Sequence, residues 1–278
     1  NVGVRIANDS LIDYGQNTSH TIRVGARNAE NPTYFEKDIT VNVVDTTPPA
    51  IGTVTASKTY ARWGEFVTFS TTITDNSALA GTPTMTLDGA PLVFSNQTGN
   101  VFTWGWNVPL GYPDGQVSVT VTAEDIAGNE TTLVADNVIT VDNTKPYITG
   151  LNISQVYAKE GDTVTIQVEV QDFYGVAEFP TVTLAGIDCG FPSFSGFTYT
   201  WLVGITSAFP EGPADVLVTA LDLAGNQSQG SGPALLTIDR TPPTISAFAS
   251  THQYATLNNT VTLQAAVLDN FGLNGTPT

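Results

Sequence analysis

Short runs in which apolar and polar residues alternate, separated by turn residues, fill this chain. The alternation is clearest at 163–172 and 215–222, which read TVTIQVEVQD and DVLVTALD. This two-residue period predicts strands with one buried face. We predict further strands in the same region near YITGLNIS (147–154), PTVTLAG (180–186), FTYTWLVGI (197–205) and ALLTID (234–239), with loops at 172–176 and 222–232. About seven short strands with turns between them are typical of an Ig-like β-sandwich.

The pattern recurs every 97 residues. A linker motif reads DTTPP from Asp45, DNTKP from Asp142 and DRTPP from Asp239, and DIAGN at 125–129 returns as DLAGN at 222–226. Because so many motifs keep one register without a gap, we predict an all-β protein of tandem Ig-like β-sandwich domains of about seven strands, arranged end to end. The predicted domains are the C-terminal half of an Ig-like or cadherin-like domain (1–44), two whole Ig-like domains (45–141 and 142–238) and the N-terminal half of another (239–278).

The two predicted half-domains lead to an expectation about the natural polypeptide. About 40 residues cannot close a sandwich alone, so we expect the chain to continue at both ends.

Composition narrows the possible partners. The formal net charge is -17, with 26 acidic and only 9 basic residues. A chain this acidic repels nucleic acid and anionic membrane surfaces. No run approaches the roughly 20 apolar residues of a membrane-spanning helix, so we expect no membrane insertion in this segment. The single cysteine, Cys189, excludes an intrachain disulfide framework.

Acidic residues recur at the predicted domain ends. In an Ig-like sandwich the B–C and F–G loops lie at the end where the preceding linker enters, which would gather one acid from each of these three segments. The predicted groups, with amide oxygens from the AGN loops, are Asp45, Asp75, Asp125 and Asn129; Asp142, Asp172, Asp222 and Asn226; and Asp239 with Asp269. A weaker set from the opposite end of the preceding domain comprises Glu65, Asp114, Asp162 and Glu211.

Two interpretations of these acids stay open. Calcium takes six to eight oxygen ligands in flexible geometry and would relieve the repulsion among close carboxylates. The absence of His and Cys from the groups argues against zinc. Alternatively, each Asp and Asn is an ordinary turn residue, and DxTPP is a stiff linker because proline fixes φ. Turn chemistry alone does not explain why acids from three separate segments would converge.

Signals for catalysis are weak, and we predict that the chain is not an enzyme. His20 and His252 fall outside the repeated positions, and no nucleophile elbow, phosphate loop or zinc motif occurs. The repeated acids belong to turns at domain ends, which argues against a glycosidase pair in a cleft.

The DxTPP linker, the VTVTAEDIAGN pattern (119–129) and the 97-residue period resemble bacterial Ig-like repeats of large surface adhesins and of surface-layer or filament proteins. The opening segment TIRVGARNAENPTYFEKDITVNVVD (21–45) also resembles the back half of a cadherin-type domain. The resemblance implies an extracellular, cell-surface chain that calcium between domains makes rigid, with Asp45, Asp75, Asp125, Asp142, Asp172 and Asp222 as ligands. The first fragment departs from the pattern, with Asn28 where the later copies have Asp125 and Asp222.

Three functions remain as hypotheses. The leading one is the structural stalk of a surface adhesin, whose partners are neighbouring repeats of the same long chain. The second is a self-assembling subunit of a surface layer or extracellular filament, whose partners are lateral copies of itself. The third is a spacer or carbohydrate-binding module of a secreted enzyme, with a sugar platform built from Trp104, Trp106 and Trp201. Trp104 and Trp201 share a repeat position, which favours core packing over sugar binding.

Overall fold

The computed structural model describes residues 18–27, 34–273 and 275. The chain divides into two compact units, Asn1–Asn143 and Thr144–Thr278. The regular secondary structure of the described residues consists of β-strands alone. These residues therefore include no helix with the length and apolar character needed to cross a membrane.

The described part of the first unit contains a hairpin followed by a sandwich. Strands β1 (Ser19–Arg27) and β2 (Tyr34–Asn42) pair antiparallel from Ser19↔Asn42 to Arg27↔Tyr34. The sandwich strands are β3 (Ala50–Ile51), β4 (Thr55–Ala56), β5 (Tyr60–Ala61), β6 (Phe66–Thr74), β7 (Thr84–Leu87), β8 (Ala90–Pro91), β9 (Val93–Thr98), β10 (Val101–Asn107), β11 (Gly115–Glu124) and β12 (Glu130–Val141).

Two sheets form this first sandwich. One has the order β3–β6–β10–β9, with β4 also paired to β6, and the other has the order β5–β12–β11–β7–β8. This is the Ig arrangement in which strands A, B, E and D face strands A′, G, F, C and C′. The pairs are antiparallel except that β5 runs parallel to β12, through Tyr60↔Thr140 and Ala61↔Val141.

The second unit holds a sandwich of the same topology. Its strands are β13 (Tyr147–Ile153), β14 (Tyr157–Ala158), β15 (Thr163–Gln171), β16 (Thr181–Leu184), β17 (Ile187–Asp188), β18 (Ser193–Ser195), β19 (Thr198–Gly204), β20 (Gly212–Leu221) and β21 (Gln227–Ile238). The sheets run β13–β15–β19–β18 and β14–β21–β20–β16–β17. The predicted Ig-like sandwich fold is confirmed. A final hairpin joins β22 (Thr244–Ser250) to β23 (Leu263–Leu268).

Alternating side chains of facing strands build each core. In β15, Val164, Ile166, Val168 and Val170 are buried while the residues between them are more exposed. An equivalent tryptophan lies at the centre of each sandwich, Trp104 on β10 and Trp201 on β19, and both are fully buried. The prediction that these two tryptophans pack in the core is confirmed.

The structure differs from the sequence prediction around 227–232. This segment was expected to be a loop, but β21 begins at Gln227 and pairs with β20 from Leu221↔Gln227 onward. A register shift between Ala214 and Val216 accommodates two extra residues on β21, and Ala234, one of the residues within the shift, adopts a left-handed φ of 49°. The hydrophobic pattern did not predict this strand because its residues are small and polar. The outer face of the hairpin needs no apolar side chains.

Candidate metal centre

Three aspartates of the first sandwich converge where the linker enters. Asp75 directly follows β6, and Asp125 directly follows β11, while Asp45 lies on the linker before β3. Because β6 and β11 finish at the same end of the sandwich, their first loop residues meet the incoming linker there. One carboxylate oxygen from each of the three lies within 4.8 Å of the others.

The DIAGN turn holds Asp125 in a fixed orientation. Its Oδ1 accepts hydrogen bonds from the backbone N–H groups of Ala127 and Asn129, both at 2.8 Å. Its Oδ2 accepts one from Asn129 Nδ2 at 2.7 Å, and the same amide group donates to the carbonyl of Asp45 at 3.2 Å. The Asn129 side chain therefore donates through its nitrogen and joins the F–G loop to the linker. The expectation that its oxygen binds a cation stays a prediction.

Asp45 and Asp75 are each held through one oxygen only. Asp45 Oδ1 accepts from Thr47 N at 3.0 Å and from Asn76 Nδ2 at 3.3 Å. Asp75 Oδ2 accepts from the backbone and hydroxyl of Ser77, at 2.9 and 2.6 Å. The remaining oxygens, Asp45 Oδ2 and Asp75 Oδ1, are buried and accept no hydrogen bond. Turn formation accounts for the first oxygen of each residue and leaves the second unexplained.

The electrostatics of this group favour a cation. Asp45 is 4% exposed and Asp125 is 1% exposed. Burial acts to raise the pKa of Asp125, but hydrogen bonds from Asn129, Ala127 and Gly128 outweigh it and hold that pKa below its usual value. None of the ion pairs formed by the described residues includes a member of the group. Buried carboxylates with unsatisfied oxygens are costly unless a cation accompanies them.

The donor set fits calcium in particular. Every side-chain atom that the three residues offer is an oxygen, the ligand type that hard cations prefer. Calcium also tolerates the irregular arrangement that loop and linker residues give, whereas magnesium demands a near-ideal octahedron.

The second sandwich repeats the same loop chemistry. Asp222 Oδ1 accepts from Asn226 N at 2.8 Å, and its Oδ2 accepts from Asn226 Nδ2 at 2.7 Å. Asn226 also donates to the Thr144 carbonyl at 3.4 Å. Asp172 Oδ1 accepts from the N–H groups of Tyr174 and Gly175, at 2.9 and 3.0 Å. The linker residue Asp142 precedes this sandwich in the sequence as Asp45 precedes the first.

The predicted acids Asp239 and Asp269 adopt the same turns as Asp45 and Asp75. Asp239 Oδ1 accepts from Thr241 N at 3.1 Å, and Asp269 Oδ1 accepts from Phe271 N at 3.0 Å. Within the described part of the chain, they belong to no group of three acids of this kind.

The weaker set of acids has protein partners instead. Glu65 forms an ion pair with Lys58 at 2.9 Å, and Asp162 accepts from Lys159 N at 3.0 Å. Neither belongs to a group of close carboxylates within the described residues. Their positions fit turn stabilisation between the A′ and B strands.

Asp114 and Glu211 hold linkers. Asp114 Oδ1 accepts from the backbone and side-chain nitrogens of Asn143, at 2.7 and 2.8 Å. Glu211 accepts from Asn270 Nδ2 at 2.8 Å, and hydrogen bonds from Thr241 and Asn270 lower its pKa. Like the previous two acids, they are outside the close groups found among described residues.

The sequence analysis missed Asn143. Besides binding Asp114, its Oδ1 accepts from Trp63 N at 2.7 Å and its Nδ2 donates to the Tyr112 carbonyl at 3.1 Å. Its place directly after the linker aspartate was the available signal. The equivalent position before Thr241 carries Arg240, so the repeat does not single out asparagine there.

Two other candidate groups have structural roles. The indole faces of Trp104 and Trp201 are enclosed by the cores, and Trp106 packs edge-on against Tyr112 with ring centroids 5.1 Å apart. These tryptophans therefore form no exposed sugar platform. Burial raises the pKa of the Cys189 thiol to about 11, which leaves almost no reactive thiolate at neutral pH.

Comparisons with known proteins give partial matches. No family model matches the chain. Hyalin from Strongylocentrotus purpuratus is 31% identical over 77% of this chain and 16% of its own length. Hyalin from Lytechinus variegatus is 34% identical over 74% of this chain and 35% of its own length. The chain thus spans about a sixth to a third of these curated relatives. A solved 1.5-MDa bacterial ice-binding adhesin aligns with a TM-score of 0.46 and 19% identity, over 81% of this chain and 75% of that structure.

Proposed function

We propose that this chain is a structural, non-enzymatic stalk segment of an extracellular cell-surface adhesin, and that calcium bound by its aspartate groups stiffens it. The observation that carries the proposal is the group formed by Asp45, Asp75 and Asp125. Three segments far apart in the sequence bring carboxylate oxygens to within 4.8 Å, and two buried oxygens there accept no hydrogen bond. A calcium ion accounts for the convergence, for the burial and for the unsatisfied oxygens together.

Several further features support a stalk. The chain repeats one sandwich topology, and a solved structure that is similar to it comes from a bacterial ice-binding adhesin. The similarity to hyalins covers most of this chain and a small part of theirs, as expected for a repeated module. An excess of acidic residues keeps such a surface soluble and favours small cations over polyanions. We extend the assignment of calcium to Asp142, Asp172 and Asp222, which the 97-residue offset aligns with the three acids of the first group.

Calorimetric titration of the chelator-treated chain with calcium chloride tests the metal. We expect calcium to bind, to raise the thermal midpoint, and to bind more tightly than magnesium. At a free concentration 100 times the dissociation constant, binding to the native state adds about 2.7 kcal/mol of stability. The double variant D45N/D75N removes two charges from the first group and should lose one binding event.

The matched control is Asp136→Asn, because Asp136 is exposed and bonds only Ser118, at 3.1 Å. It should retain every binding event. Absence of any calcium-dependent heat or stabilisation in the wild-type chain would overturn the metal assignment. Loss of binding in the control as severe as in D45N/D75N would assign the effect to net charge instead of to the group.

Stiffening has its own test. Small-angle X-ray scattering should give a larger radius of gyration with calcium than with chelator, and D45N/D75N should reduce that difference. If calcium binds without changing the radius of gyration, the proposed metal site stands and the proposed stiffening is wrong.

Self-assembly into a surface layer or filament is the alternative. Sedimentation velocity over a range of concentrations separates the two functions. A stalk segment should sediment as a monomer throughout, whereas growth to larger species with calcium would favour the lattice.

A further inference from the structure

The two sandwiches carry a groove at the same place but with different linings. In the second sandwich, a groove of about 620 Å³ lies beside the start of β16 and is lined by Phe179, Phe191, Phe194 and Tyr199. In the first, a groove of about 540 Å³ is lined at the equivalent positions by Thr82, Gln97 and Phe102. The pairing registers match, since Phe194 faces Tyr199 as Gln97 faces Phe102. The fold therefore requires no aromatic cluster here.

The aromatic rings of the second groove are open to solvent. Phe191 is 90% exposed, Phe194 is 60% exposed and Phe179 is 46% exposed. The rings of Phe179 and Phe194 lie 5.5 Å apart between centroids, and those of Phe194 and Tyr199 lie 6.0 Å apart and nearly parallel. An exposed, contiguous aromatic surface in a soluble chain marks a binding site more often than a fold requirement.

The polar groups of this groove are mostly acceptors. Glu178 and Asp188 line it, both are exposed, and the equivalent residues of the first sandwich are Gly81 and Pro91. No lysine or arginine lines the groove. Ionised carboxylates accept hydrogen bonds and donate none, so a ligand that bonds to them must supply donors, and a positive charge on the ligand would complement theirs.

We propose that this groove binds an arginine side chain of a partner protein. A guanidinium group stacks on aromatic faces and is attracted to them as a cation. It also carries five N–H donors that match carboxylates such as Glu178 and Asp188. The site goes beyond the stalk function because it gives one sandwich a specific recognition role that its neighbour lacks.

The same chemistry argues against two other occupants. A neutral sugar carries no charge to match Glu178 and Asp188, and Thr181 and Tyr199 are the only lining side chains with a hydroxyl. A second copy of this chain brings a net charge of -17 to an already acidic groove. Both occupants are outcomes that the experiment below can detect.

Amide NMR of the whole chain, labelled with nitrogen-15, tests the proposal with an acetylated and amidated Gly-Gly-Arg-Gly-Gly peptide. We expect peptide-dependent shifts at Phe179, Asp188 and Phe194, and none at Thr82 or Gln97. The E178Q/D188N variant should weaken binding about tenfold, the loss expected when a charge-assisted contact is removed. Phe194→Gln, which installs the residue of the first sandwich, should weaken it about threefold, since an exposed cation–π contact is worth under 1 kcal/mol.

The control variant is Leu202→Gln, because Leu202 is an exposed apolar residue of β19 that does not line the groove. It should bind like the wild type. The same peptide with citrulline, which is neutral and nearly isosteric, should produce no shifts. Equal binding of the citrulline peptide, or no shifts with about 10 mM arginine peptide, a range that detects even millimolar affinity, would overturn the proposal. Shifts at the groove with cellotriose but not with the peptide would overturn it in favour of a sugar, and concentration-dependent shifts without ligand would do so in favour of self-association.

Discussion

The two sandwiches agree at one surface and disagree at another. At the end where the linker enters, both keep an Asp in the loop after strand B, and an Asp and Asn in the F–G turn, with the same hydrogen bonds from Asn129 and Asn226. Beside the C and D strands, one sandwich presents Thr82 and Gln97 while the other presents Phe179 and Phe194. The agreement identifies chemistry that every copy needs, and the difference identifies chemistry that belongs to one copy.

Replacing the central tryptophan tests whether the two cores are equivalent, and it has the largest expected effect. Trp104→Ala and Trp201→Ala should each destabilise their own sandwich by about 3–5 kcal/mol, because both side chains are fully buried. Trp201→Ala also removes a hydrogen bond from Nε1 to the Gly190 carbonyl at 3.0 Å. Denaturant unfolding followed by residue-resolved NMR measures each sandwich separately.

Trp63→Ala is the control for this comparison, since Trp63 is partly exposed at the surface of the first sandwich. It should cost clearly less than Trp104→Ala. Equal losses for the two would mean that the central position is not the core of the fold.

Removing the amide of the F–G turn tests whether the shared acidic end is equally important to both copies. Asn129→Ala and Asn226→Ala should each cost about 1–3 kcal/mol, because each deletes two hydrogen bonds, at a half-buried site for Asn129 and at a buried one for Asn226. Thermal unfolding with chelator present measures the losses without any contribution from metal.

Asn96→Ala provides the matched control, because the Asn96 side chain is exposed and donates one hydrogen bond, to the Thr98 hydroxyl. Its effect should stay within about 0.5 kcal/mol. A large loss for Asn129→Ala with no loss for Asn226→Ala would show that the two turns differ despite their matching geometry.

The smallest expected change in stability comes from one left-handed backbone position that both sandwiches share. Asn137 in β12 and Ala234 in β21 occupy equivalent positions with φ of 56° and 49°. Asparagine tolerates this conformation better than alanine does. Ala234→Asn should therefore stabilise the second sandwich by about 0.5–1 kcal/mol, and the reverse change, Asn137→Ala, should destabilise the first by a similar amount. Chemical denaturation measures both, and effects of the same sign would contradict this explanation.

Sequence reasoning reached the architecture because its signals were local and repeated. Alternation in 163–171 follows directly from a strand with one face in the core, and the order of Ig loops was enough to expect Asp75 near Asp125. It could not assign Asn129 as a donor, because the direction of an amide depends on which neighbours surround it. It also missed the contact between Asn143 and Trp63, which are 80 residues apart.

The aromatic groove was invisible for a different reason. Phe179 and Phe194 align with Thr82 and Gln97 of the other copy, and the stretch 186–196 that contains Phe194 shows no clear period. Only strand pairing brings Phe194 beside Tyr199 and closes the groove. A repeat directs attention to what recurs, so residues specific to one copy require the folded structure.

The parallel pairing of β5 with β12, and of β14 with β21, has a mechanical consequence. Each short strand lies near the start of its sandwich, and its partner is the last strand of that sandwich. When the two ends of one sandwich are pulled apart, parallel neighbours are dragged in opposite directions along their length. Their hydrogen bonds are then strained together in shear and cannot open one after another, as they would in a hairpin pulled from its open end. These two-residue parallel pairs are therefore the hydrogen-bonded contacts that resist the unfolding of each sandwich when the chain is stretched.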